Sequence, residues 1–151
     1  MKKFFKFIIL LIPWFLSGLL FKSDNIFYKS LEKPFFAPAP IIFPIVWTIL
    51  YILIAISTYK IYSNFDYKKT KSYNKALIIN YFFNQTFTFF FFTLKSPFLG
   101  LIDAILVFIS SLFLYYETKE LDKSASKYLI PYIIWNLFAV ILSTSIFFMN
   151  L

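Results

Sequence analysis

The spacing of charged residues constrains what this chain can fold into more than any other feature. Charges leave 15 residues between Lys6 and Lys22, 26 between Lys33 and Lys60, and 19 between Lys75 and Lys95. Another 21 lie between Lys95 and Glu117, interrupted by Asp103, and 24 follow Lys127. A helix needs about 20 apolar residues to cross the hydrocarbon core, within a range of about 17 to 25. Four runs meet this, and the first does so once Phe4, Phe5 and the snorkelling stem of Lys6 are counted. The prediction is an all-α integral membrane protein, a five-transmembrane-helix bundle forming one domain over residues 1–151. Its helices are predicted at about 4–21, 43–62, 74–93, 97–116 and 125–148, with a loop over about 22–42. A soluble domain of this length does not combine 23 Phe with 15% charged residues.

The first run has a competing reading. Lys2, Lys3 and Lys6 before an apolar stretch also describe a secretory signal. No small-x-small cleavage site follows, and Phe21 and Lys22 stand where one belongs, so a retained helix is expected. Pro13 kinks it, which a bundle tolerates when neighbours satisfy the freed backbone groups.

The net charge of +8 comes from fifteen lysines and no arginine. Without the forked donors suited to phosphate and base edges, nucleic-acid binding is not expected. Topology explains the charge better. With five spans, eleven lysines fall on the N-terminal side and four (Lys22, Lys29, Lys33 and Lys95) on the other. The positive-inside rule then predicts a cytoplasmic N-terminus and an outer C-terminus. Abundant Lys, Ile, Phe and Asn without Arg reads as AT-rich coding, hence a bacterial cytoplasmic membrane. Cysteine and histidine are absent and Gly18 and Gly100 are the only glycines. That excludes disulfides, thiolate or imidazole metal sites, Cys/His nucleophiles and glycine-rich phosphate loops. No metal and no required cofactor are predicted.

Polar and aromatic residues inside the spans are the candidates for function. Asn80, Asn84 and Thr88 recur at i, i+4 and i+8 with Gln85 and Thr86 beside them, on one helix face. Such a stripe serves either as interhelical hydrogen-bonding glue or as part of a site, and residue type alone favours glue. Trp47, Tyr51, Ala55 and Thr58 form a second stripe; Trp135, Phe138, Ala139, Leu142 and Ser143 form a third. Either packing or the wall of a ligand cavity accounts for them, and periodicity does not choose. Asp103 is expected to make a structural hydrogen bond or to snorkel rather than to relay protons. Phe89 to Phe92 read as lipid-facing or interfacial packing.

One segment is more specific. KPFFAPAPIIFPIVWTILY, residues 33–51, holds Pro34, Pro38, Pro40 and Pro44 and then an uncharged run with Trp47 and Tyr51 one turn apart. The prolines forbid one regular helix, so a stiff aromatic loop feeds a membrane-length helix. This resembles the loop-to-second-helix signature of the TspO/MBR family (translocator protein, or tryptophan-rich sensory protein), roughly K-P-x-[WF]-x-P-P-x-W-x-F-P-x-V-W-T-x-L-Y. YLIPYIIWNLFAVIL, residues 128–142, is similar to the family's fifth-helix pattern L-x-P-Y-x-x-W-x-x-F-A. LKSPFLGLIDAILV, residues 94–107, is similar to its third loop and fourth helix, with Asp103 on the recurring acidic position. The likeness covers about residues 28–148.

The resemblance implies a homodimeric five-helix bundle in the lipid bilayer. Its outer-side cavity, lidded by the first loop, binds porphyrins and other flat hydrophobic molecules. By position Trp47, Tyr51, Asn84, Phe87, Thr88, Trp135, Phe138 and Ala139 line it, and Pro34, Phe36 and Pro38 belong to the lid. It implies a receptor or sensor for tetrapyrroles, linked to their transport or regulation. The alternatives are a light-dependent porphyrin-degrading enzyme and a small-molecule transporter. The chain departs from the pattern at Phe36 and Pro40-Ile41, where loop tryptophans recur, and at Phe87, the helix-three tryptophan. Asn80 replaces a glutamine and Ser143 an asparagine. Phenyl rings still stack but lack the indole donor. Phe148 and Met149 occupy the place of an arginine in animal sterol motifs, so sterol recognition is not predicted.

Overall fold

The computed structural model describes residues 2–21 and 23–151; Lys22, counted above with the outer-side lysines and the loop, lies outside them. Eight α-helices occur among the described residues, and no strand. They are α1 (Lys2–Leu11), α2 (Leu16–Leu20), α3 (Asn25–Ser30), α4 (Ile42–Asn64), α5 (Lys71–Thr88), α6 (Pro97–Leu121), α7 (Lys123–Ser126) and α8 (Ile130–Met149). α4, α6 and the α7–α8 rod are each long and apolar enough to cross a membrane. The Phe4–Leu20 segment is apolar but shorter. α5 reaches membrane length by running on through a π turn, Phe89–Thr93. α6 packs along both α5 and α8, and α1 packs along α4.

The first rod breaks where Pro13 predicts it, in a 3-10 turn over Ile12–Phe15. The other rods overrun their predicted ends: α4 continues to Asn64, α5 begins at Lys71 and α6 continues to Leu121. Charges mark where lipid ends, whereas Lys, Glu and Thr let the hydrogen-bonded helix extend into water. α6 starts sharply because Ser96 accepts from the Leu99 N–H at 3.2 Å and Pro97 occupies the first turn. The turn before it bends at Lys95, with φ 51°. Asp122 caps α7, accepting from the amides of Ser124 and Ala125 at 2.7 and 3.1 Å.

The exterior is largely apolar, and several polar side chains sit within an otherwise apolar core. Ser57, Thr58, Asn80, Asp103, Ser110 and Asn136 are buried, while Leu19, Ile78, Phe113 and Ile134 point outward. A lipid-facing surface accounts for that exterior, since apolar groups there stay in an apolar solvent.

Within the Phe89–Phe92 run, expected as lipid-facing or interfacial packing, Phe91 is corrected: it is buried, while the other three are half-buried. Phe91 is 4% exposed and lies against Gly100. In the π turn the Leu94 N–H donates to the Phe89 carbonyl at 2.9 Å, so one extra residue shifts the helix register and brings Phe91 inward. A Cβ at Gly100 would meet the Phe91 ring at 2.5 Å and its Cβ at 3.1 Å, so the whole ring would have to move. Gly100→Ala is therefore expected to lower the thermal midpoint in detergent. Overpacking of about 1–3 kcal/mol exceeds the helix-propensity gain of about 1 kcal/mol. Adding Phe91→Ala should remove that strain, giving a double variant more stable than additivity predicts.

Candidate functional site

A hydrogen-bonded seam crosses the bundle interior. The Tyr132 hydroxyl, fully buried, accepts from Asn84 Nδ2 at 3.2 Å and donates to Asn80 Oδ1 at 3.1 Å. Tyr51 donates to Asn84 Oδ1 at 3.0 Å, and Asn80 Nδ2 donates to Ser110 Oγ at 3.0 Å. Gln85 extends the seam to the broken first rod: Nε2 donates to Asn84 Oδ1 and the Trp14 carbonyl, and Oε1 accepts from the Ser17 N–H at 2.7 Å. The Tyr81 hydroxyl donates to the Pro13 carbonyl at 3.0 Å. Backbone groups around the proline break are thus satisfied by side chains of α5. Asn80, Asn84 and Gln85 act as glue, as residue type favoured, and Thr88 takes no part.

Asp103 is 1% exposed and accepts from Thr86 Oγ1 at 2.8 Å. The expected hydrogen bond is present, and burial corrects the snorkelling alternative. Tyr132→Phe leaves Asn80 Oδ1 and Asn84 Nδ2 each short of one partner. It should lower unfolding free energy in detergent by about 1–3 kcal/mol, as two interhelical bonds of about 0.6 to 1.7 kcal/mol each imply. Tyr51→Phe, which breaks one bond, should cost less.

Above Asn84 lies a cavity of about 50 Å3. Trp47, Phe87, Trp135 and Ala139 line it with Asn84. Tyr51 and Phe138 lie just behind this wall, with ring centroids 5.4 Å from Trp47 and 5.2 Å from Trp135. Thr88 is not in the wall. Phe43, Ala104, Val107, Asn136, Leu142 and Ser143 complete the lining. Leu142 and Ser143 belong to the fifth-span stripe, whereas Phe43, Ala104 and Val107 carry no sequence signal beyond being apolar. Asn136 had one, as an amide within an apolar span, and was not singled out. The volume holds a few water-sized groups, not a macrocycle. The interior is neither an open chamber nor solidly packed: ring contacts such as Phe43 on Trp135, 6.1 Å between centroids, occupy most of it.

The first loop covers this region. Phe36 packs on Phe138 at 6.3 Å and Tyr28 on Phe43 at 5.6 Å. Pro34 and Pro38 shape the loop through their carbonyls, which accept from the Ala37 N–H at 3.0 Å and the Tyr28 hydroxyl at 3.3 Å. Two polar ties hold it, one at its middle and one near its start. The Asn150 amide exchanges two bonds with the Glu32 backbone, 3.0 and 2.9 Å, and Asp24 pairs with Lys95 at 3.1 Å. The Phe27 N–H and the Lys95 ammonium hold the Asp24 carboxyl below its ordinary value. A depressed acid stabilises the tie fully above its ordinary value of 3.8 and loses that contribution as pH falls through its lowered value. With no native cysteine, a nitroxide on Ile26→Cys reports loop motion cleanly. Its mobile fraction should grow as the pH is lowered below 3.8, and Asp24→Asn should show that fraction already at neutral pH.

An all-helical bundle with an apolar exterior and several membrane-length apolar helices defines an integral membrane helical bundle. Comparison with known sequences agrees with the motifs: the TspO/MBR family profile matches residues 6–149, and the chain belongs to this family. It is 39% identical over 135 residues to the uncharacterized membrane protein YtaB of Bacillus subtilis, covering 89% of this chain and 87% of that protein. Over 137 residues it is 37% identical to the tryptophan-rich protein TspO of Bacillus cereus, covering 91% and 89%. The tryptophan-rich sensory protein of Cereibacter sphaeroides is 26% identical over 119 residues, covering 79% and 73%.

Proposed function

We propose that this chain is a membrane receptor or sensor for flat hydrophobic ligands, tetrapyrroles of the porphyrin and heme type foremost, linked to their transport or regulation. The observation that carries the reading is the convergence of Trp47, Trp135, Phe43 and Phe87 on one cavity beneath the proline-rich loop. Aromatic walls with a few hydrogen-bonding groups are the usual make-up of small-molecule sites. Because the closed cavity measures about 50 Å3, a macrocycle enters only after the loop lifts and Phe36 and Phe43 swing away. A guest ring then replaces the ring contacts those residues made, so opening is offset by binding. The lysine asymmetry supports a cytoplasmic N-terminus in a bacterial inner membrane. The family resemblance supports a homodimer. The name of the Cereibacter sphaeroides relative, a sensory protein, agrees with a sensing role.

Titrating the protein in detergent with protoporphyrin IX should quench tryptophan emission saturably. In the double variant Trp47→Leu, Trp135→Leu, binding read through Trp14 and the tyrosines should weaken about tenfold. That follows from losing two ring contacts of about 0.5–1.5 kcal/mol each, at 1.4 kcal/mol per tenfold. Unchanged affinity in the double variant would place the ligand elsewhere and sink the proposal.

A further inference from the structure

One side chain in the cavity wall has no partner. Asn136 is 1% exposed and lines the cavity, and neither its Nδ2 nor its Oδ1 makes a hydrogen bond. Its neighbours in the wall do not compensate. Asn84 is engaged by Tyr51, Tyr132 and Gln85, and neither the Tyr132 hydroxyl beside Asn136, nor the Ser143 hydroxyl, nor the indole N–H of Trp47 or Trp135 closes a hydrogen bond to the amide. A dry, unpaired amide forfeits hydration of a donor and an acceptor together, which native interiors avoid. The group filling the cavity is then what satisfies it. Asn136 also stands at an unspecified position of L-x-P-Y-x-x-W-x-x-F-A, so the family pattern does not account for it.

We infer that Asn136 is a specificity-determining residue that selects, among flat apolar rings, those bearing a lactam edge. The inference rests on the ring-binding reading above. A primary amide presents N–H and C=O side by side in one plane. A cis-amide in a ring presents the complementary pair, and the two close through a pair of antiparallel hydrogen bonds. A ring with only an acceptor leaves Oδ1 unpaired; a ring with neither group leaves both atoms unpaired. An ionised carboxylate also leaves Oδ1 unpaired and brings a charge into a wall that contains no cation. The polar edge enters first and occupies the small cavity, while the ring body sits under the lifted loop between the indoles.

The test uses the full chain in detergent and calorimetric titration with two tricycles of one shape. These are 6(5H)-phenanthridinone, which carries the lactam, and phenanthridine, which keeps the ring and an acceptor nitrogen but has no donor. Protoporphyrin IX serves as the control for ring binding. The wild type should bind the lactam at least about tenfold tighter than phenanthridine. Asn136→Leu should bring that ratio to about one, the lactam losing more affinity than phenanthridine. In parallel, the Asn136 side-chain amide resonances of wild-type protein labelled with 15N-asparagine should shift on adding the lactam, and further than with phenanthridine. This measurement stands even where the variant does not fold. Equal affinity for the two tricycles, a preference retained in Asn136→Leu, or unmoved amide resonances would overturn the inference. If protoporphyrin IX still binds in those cases, the ring-binding reading survives; if nothing binds, both readings fall.

Discussion

Everything in this bundle hangs on the buried hydroxyl of Tyr132 and the two asparagines it joins. Between helices surrounded by lipid tails there is little hydrophobic gain from association, so close packing and hydrogen bonds fix where helices sit. By accepting from Asn84 and donating to Asn80, Tyr132 ties α8 to α5. Asn80 passes the tie to α6 through Ser110, and Asn84 passes it to α4 through Tyr51. Gln85 carries it to the backbone exposed by Pro13, which lets the first rod break without leaving bare amides. One connected network thus positions five rods, and Asn84 is at once part of it and part of the cavity wall.

The floor of the cavity is therefore rigid, and its roof is not. The loop rests on ring edges and is tied near its start by one exposed ion pair and at its middle by one asparagine. Exposed ion pairs contribute about 0–1 kcal/mol, so these ties select the closed loop without locking it. On the proposed reading Phe36 and Phe43 hold the place of a guest, since their ring contacts with Phe138 and Trp135 are of the kind an incoming ring restores. A fixed floor with a loosely held roof makes ligand occupancy a matter of loop position, which is what a sensor requires.

Much of this was legible from sequence because lipid imposes simple rules. Charge spacing gave the rods, Pro13 the break, and Ser96-Pro97 the start of α6. Helix ends were misplaced by several residues because α5 and α6 continue past the lipid boundary, where charge no longer argues against a helix. Asn80 and Asn84 stood out as amides within an apolar run. Tyr132 did not, because a tyrosine in a span reads as one more aromatic ring and its hydroxyl partners lie about fifty residues away. Phe91 was misread because the π turn that brings it inward leaves no mark in a run of four phenylalanines. Phe43, Ala104 and Val107 were invisible as lining residues, since apolar side chains do not declare which face meets a void. The size of the cavity was beyond reach for a related reason: it depends on ring rotamers, not on residue identity.

Two buried side chains retain unpaired atoms, and their difference is instructive. Asp103 has one oxygen satisfied by Thr86, and only its other oxygen lacks a partner. A carboxyl anchored on one side still does structural service by joining α6 to α5. Asn136 closes a hydrogen bond with neither polar atom, although the Tyr132 hydroxyl lies beside it, and Trp135, Ala139 and Leu142 in the same wall suit an aliphatic neighbour better. Stability alone gives no reason for an amide there, and leucine would fill the same space without the cost of desolvation. Residues that weaken a structure locally without compensation within it mark places where something outside the chain completes the arrangement. The void, the idle amide and the lightly held loop lie together, so the missing hydrogen bonds and the missing volume point to the same occupant.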